Sequence, residues 1–105
     1  MCRMATEDGA TAVVAAPHMF NGMYHVQRET ILSALGRLVE RMGELGLPLT
    51  VLPGADVCLD AGLPERARAG RVMTIGDAGR YLIVELSRDV IPEGVRETLF
   101  SLQLM

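Results

Sequence analysis

The chain has 105 residues, enough to bury one hydrophobic core and too few for two. Half of it is hydrophobic, which excludes a disordered polymer. Thirteen acidic residues against ten basic ones, all Arg, give a net charge of −3, a poor match for nucleic-acid binding through phosphate neutralisation.

No apolar run approaches the ~20 residues that span a bilayer, and no charged start leads into a signal-peptide core. The expected protein is cytoplasmic, with no membrane span and no nucleic acid among its partners. Cys2 and Cys58 lie far apart and fit neither a metal knuckle nor a disulfide framework, so both read as reduced thiols. Seven Met and four aromatic residues point to an aliphatic, adaptable core.

In chain order, Met1 to Ala5 favours a helix that runs into Glu7-Asp8-Gly9, with Gly9 as its stop. Thr11 to Ala16 is a short apolar run ended by Pro17, and it reads as a strand covered on both faces. From Val26 to Leu45 the period becomes helical. Ile31, Leu35, Leu38, Val39, Met42 and Leu45 form the apolar stripe, and Gly46 and Pro48 stop it. Leu49 to Leu52 is the next strand, broken at Pro53-Gly54 and continued extended from Ala55 to Leu59. Pro64 starts a short helix that Gly70 closes. Val72 to Ile75 precedes a turn over residues 76–79, and Arg80 to Leu86 is a strand with Tyr81, Ile83 and Glu85 on one face. Pro92 leads into a last helix carrying Val95, Leu99, Phe100 and Leu102. Alternation of this kind predicts an α/β fold with parallel strands, in one domain spanning residues 1–105.

Ligands of α/β folds bind at the carboxyl ends of the strands. There the sequence offers His18 after the first strand, Asp56 after Pro53-Gly54, and Glu85 near the end of the third. An imidazole with two carboxylates suits manganese, iron, zinc or magnesium. Taken singly, His18 reads as well as a loop residue, Asp56 as a turn former, and Glu85 as the partner of Arg80 or Arg88. His25 reads as a capping or surface residue, Asn21-Gly22 as a turn, and Arg66, Arg68 and Arg71 as a solvated helix face. No catalytic serine elbow or phosphate-cradling glycine loop is present.

Three segments carry a resemblance: Val13 to Gly22 with its Pro17-His18, Leu49 to Asp56 with its Pro53-Gly54, and Gly79 to Leu86 ending in Glu85-Leu86. Together with the intervening helix they resemble the bacterial PHP-type protein-tyrosine phosphatases of capsular and exopolysaccharide biosynthesis, the CpsB/CapC family. The resemblance implies a portion of a distorted (β/α)7 barrel that holds manganese or iron. It also implies hydrolysis of phosphotyrosine on the tail of a tyrosine kinase controlling polysaccharide export. His18 matches the His of the family's Thr-Pro-His motif, with Ala16 in place of the Thr. Asp56 matches the Glu after Pro-Gly, and Glu85 matches the strand Glu of the following segment. The family's opening His-x-His, its His-Pro-Glu-Arg segment and its Asp-x-His have no counterpart in these 105 residues, so the chain reads as an internal piece with most metal ligands missing. The alternatives are a non-catalytic truncated module that self-associates or binds a kinase tail, and a stand-alone small ligand-binding domain. Unpaired strand edges lead us to expect a homo-oligomer.

Overall fold

The computed structural model describes residues 1–20, 26–87 and 89–105. The readings made for Asn21-Gly22, His25 and Arg88 fall outside the described residues.

A six-residue helix, α1 (Cys2–Glu7), opens the chain and is followed by β1 (Ala12–Ala15) and the two-residue β2 (His18–Met19). The long helix α2 (Arg28–Glu44) buries Ile31 and Met42. Its opposite face is polar, with Arg41 paired to Glu44 at 2.9 Å. It stops because Gly46 takes φ 65°. This lets the Leu47 N–H bond the Met42 carbonyl and the Gly46 N–H bond the Gly43 carbonyl. That pair of bonds satisfies carbonyls the last turn would otherwise orphan. α1 ends in the same way at Gly9.

β3 (Thr50–Pro53) pairs in parallel with β1, in register Ala12 with Thr50 through Ala15 with Pro53. β4 (Asp56–Cys58) pairs in parallel with β2 on one side and with β5 (Ile83–Glu85) on the other. β1 with β2, and β3 with β4, are thus two strands interrupted at the same level. Pro17 has no N–H for a ladder, and its carbonyl instead accepts from the Asp56 N–H at 2.9 Å. Opposite it, Gly54 lies so close to β1 that a Cβ there would come within 2.5 Å of Val14 Cγ1. The matched interruptions set β2 beside β4, and with them His18 opposite Asp56.

α3 (Leu63–Arg68) follows β4, with Leu63 and Pro64 buried. Residues 75–77 form a single 3₁₀ turn rather than the end of an extended run. Val72 and Met73, just before it, are core residues. The last helix, α4 (Val95–Gln103), contacts α3. The core has two parts. Met19, Ile31, Ala55, Val57, Leu59, Leu63, Val72 and Met73 pack together under the β2–β4–β5 half. Met42, Leu49 and Val51 pack under the β1–β3 half, against Cys2 and Ala5 of α1. Met19, Met42 and Met73 are buried, so three of the seven Met fill core gaps.

The outer edges of β1 and β2 and of β5 have no strand partner among the described residues. Burial alternates along β1, with Val14 on its more exposed face.

Candidate metal centre

His18, Asp56 and Glu85 come from three different strands and meet at one end of the sheet. His18 opens β2, immediately after Pro17; Asp56 opens β4, two residues past Gly54; Glu85 closes β5. On β5, Leu82 and Val84 pack against the core cluster, so the strand's alternation turns Glu85 to the opposite face. The Nδ1 of His18 stands 3.1 Å from Glu85 Oε2 and 3.5 Å from Asp56 Oδ2. One donor atom from each of the three residues falls within 4.8 Å of the others. Taken singly, each had a bland reading; together they converge.

The donor set fits a divalent cation. Two ligand atoms each about 2.1 Å from one ion are about 3–3.5 Å apart in octahedral or tetrahedral geometry, and the His18 separations fall in that interval. Two carboxylates facing one imidazole leave the cluster negative unless a cation or a proton joins it. The side chains are 44%, 30% and 35% exposed for His18, Asp56 and Glu85, which leaves room for an outside oxygen ligand. Imidazole with carboxylate is a hard-to-borderline set suited to manganese, iron or zinc.

Glu85 meets His18. Arg80 forms no ion pair with it among the described residues, and Arg88 falls outside them. Cys58, aligned with Glu85 in the β4–β5 register, borders the site. Burial pushes its thiol above the usual range, and the carboxylates of Asp60, Glu85 and Asp56 push the same way, against Arg66. From the sequence Cys58 reads only as a reduced thiol; its place beside Glu85 follows from the register, which no local signal encodes.

The arginine cluster is not a uniformly solvated face. Arg66 bonds Asp60 at 2.7 Å and stacks over the Phe20 ring at 4.5 Å from its centroid, while Arg71 approaches the same ring at 5.8 Å. Phe20 holds φ 60°, which few side chains adopt, so the chain turns sharply just after the His18 strand. Arg68 pairs with Glu65 on the surface. A cavity of about 440 Å³ lies between α2 and the ends of β1 and β3. It is apolar and touches none of the three candidate ligands, so the chemistry does not sit there.

A parallel α/β sheet thus gathers an imidazole and two carboxylates at its strand ends, a donor set with the chemistry of a metal site. The chain belongs to the capsular polysaccharide synthesis CpsB/CapC family, whose model matches residues 1–105. It is similar to the tyrosine-protein phosphatase YwqE of Bacillus subtilis, with 26% identity over 104 residues, covering 99% of this chain and 41% of that protein. It also superposes with TM-score 0.90 and 26% identity on a chain from the crystal structures of YwqE from Bacillus subtilis and CpsB from Streptococcus pneumoniae, described as unique metal-dependent tyrosine phosphatases. There it covers 99% of this chain and 42% of the solved one. The chain is therefore a portion of the PHP-type barrel, and it spans about two fifths of the length of the relatives it matches.

Proposed function

We propose that this chain carries part of the metal centre of a metal-dependent protein-tyrosine phosphatase, with His18, Asp56 and Glu85 as ligands of manganese or iron. The convergence of these three side chains from successive strands supports that reading most directly. A divalent cation bound there supplies charge neutralisation at the phosphoryl oxygens and activation of water near neutral pH.

The protein's own groups set that site up. Glu85 Oε2 faces His18 Nδ1 at 3.1 Å, which makes Nδ1 the ring nitrogen that would share a cation with the two carboxylates. Asp56, the second carboxylate near the same nitrogen, contributes negative charge that would favour a cation there. Asp56 is one methylene shorter than the Glu that the family motif carries, so its reach depends on the close β2–β4 pairing that the Pro17 carbonyl bond holds. The substrate of this reading is a phosphotyrosine protein, the tail of a tyrosine kinase that controls polysaccharide export. A second reading, a non-catalytic module, is favoured by the small ligand set: three residues, with no phosphate-gripping arginine beside them among the described residues.

Elemental analysis of the purified chain, paired with hydrolysis of a phosphotyrosine peptide, separates the two. Stoichiometric manganese or iron with chelator-sensitive turnover, both lost in His18→Ala, is the expected result for the phosphatase. A metal-free protein without turnover refutes it and leaves the module.

A further inference from the structure

His18 and Asp56 are set against each other by a very short ladder. β2 and β4 pair over two residues, His18 with Asp56 and Met19 with Val57. At one end the Pro17 carbonyl accepts from the Asp56 N–H at 2.9 Å. At the other end the chain leaves both strands, into Phe20 and, past Leu59, into Asp60. The side chain of Arg66, on α3, lies between those two residues. Its Nη2 bonds Asp60 Oδ1 at 2.7 Å, and its guanidinium covers the Phe20 ring at 4.5 Å from the centroid. The same Asp60 oxygen accepts from the Gly62 N–H at 2.9 Å. The guanidinium rests so close to Gly62 that a Cβ there would come within 2.7 Å of Nη1. For an arginine this one is enclosed, 20% exposed, and its Nε is sealed from solvent with no hydrogen-bond partner among the described residues. A buried donor left unpaired is costly and rare in native proteins. An arginine kept only for solubility would turn its head outward and avoid that cost.

We infer that Arg66 is a positioning residue for the candidate metal centre: by binding Asp60 and Phe20 at once, it fastens the segment after β4 to the segment after β2 and holds Asp56 and His18 at a separation one cation can share. The inference rests on the phosphatase reading in taking those two side chains as ligands. Arg66 acts through the strands. Phe20 is two residues past His18 and Asp60 is four past Asp56, so a slip between the two strands reaches both ligands. His18 Nδ1 and Asp56 Oδ2 stand 3.5 Å apart, already the wide end of the roughly 3–3.5 Å that two ligands of one ion span. A slip of about 0.5 Å, the tolerance of a preorganised site, takes them out of that interval. A guanidinium suits this task better than an ammonium, since its flat face lies on a ring while its edge bonds a carboxylate.

Calorimetric titration of Mn²⁺ into the metal-stripped 105-residue chain tests this, with urea midpoints measured on the same samples. The direction of the change discriminates. Removing a positive charge near two carboxylates strengthens cation binding by Coulomb attraction, whereas loss of positioning weakens it. Arg66→Ala is expected to bind Mn²⁺ about tenfold more weakly, the lower end for groups that hold metal ligands in place. Equal or tighter binding overturns the inference, and so does a lowered urea midpoint with unchanged affinity, which would mean a structural role alone. Gly62→Ala is the milder variant. Its φ of −85° suits alanine, and the clash falls on the movable tip of the Arg66 side chain, so the guanidinium is pushed aside while the charge stays. It should weaken Mn²⁺ binding in the same direction with an unchanged far-UV circular dichroism spectrum, and if Arg66→Ala fails to fold, Gly62→Ala decides. Crystal structures of the metal-free wild type and of Gly62→Ala keep this inference separate from the phosphatase reading. A wild type that binds no Mn²⁺ refutes that reading. The His18–Asp56 separation then decides: it is expected to widen by about 0.5 Å in the variant, and an unchanged separation overturns the positioning role.

Discussion

Replacing Gly54 with Ala tests how closely the two interrupted strands approach. The added Cβ would lie 2.5 Å from Val14 Cγ1, whereas carbon atoms settle at about 3.5–4.0 Å. The strands must part by about 1 Å, or Val14 must leave its rotamer, and a β-branched side chain has few others to take. Overpacking of this size costs about 1–3 kcal/mol. Ala also restricts the unfolded chain, which returns about 0.4–1 kcal/mol, so a net loss of about 1–2 kcal/mol is expected. That is a sizeable share of the roughly 5–15 kcal/mol holding a small domain together. Urea denaturation of the single variant, of Val14→Ala and of the double variant gives the coupling between them. Because the obstructing atom is a side-chain methyl, Val14→Ala opens the space, and the double variant should recover at least half of the Gly54→Ala loss. Additive losses with no coupling would refute the close approach, and with it the account of how Asp56 is brought level with His18.

Two further predictions concern groups around the site. The Cys58 thiol is held above the usual range by burial and by neighbouring carboxylates. The stability it contributes is therefore present below the usual thiol range and lost as pH rises through its raised value. Iodoacetamide should modify Cys58 more slowly than a free thiol at mildly alkaline pH, and Cys58→Ala should flatten the alkaline fall in the denaturation midpoint. Arg66→Lys keeps the charge opposite Asp60 but loses the flat guanidinium over Phe20, at a cost of about 0.5–1 kcal/mol. The urea midpoint should fall accordingly, and the difference should vanish in a Phe20→Leu background.

Much of this fold was legible because its elements are punctuated. The apolar stripe from Ile31 to Met42 gave α2, and Gly46 gave its end to within a residue. The β-branched runs gave β1 and β3, and alternation along residues 80–86 set Glu85 on the face opposite Leu82 and Val84. Element lengths were less legible. The expected strand over 80–86 contracts to Ile83–Glu85, because Arg80 and Tyr81 belong to the loop that carries the 75–77 turn; the Tyr81 carbonyl accepts from the Ile75 N–H. The expected strand over 11–16 gives way at Pro17 and resumes as β2, a pairing settled by the tertiary bond to Asp56 and invisible locally. The three candidate ligands were identifiable by type and by their place after strands. That Glu85 meets His18 was not, since that depends on the register between strands 67 residues apart in sequence. The approach of Arg66 and Arg71 to the Phe20 ring left no trace in the sequence pattern at all.

No charged or polar side chain is buried among the described residues; the interior is held by Met, Leu, Val, Ile and Ala, with Pro64 beside them. Cohesion and reactivity are therefore carried by separate sets of atoms. A scaffold divided in this way lets the acidic mouth be redesigned, with another ligand or a different metal preference, while the hydrocarbon beneath it continues to specify the same backbone.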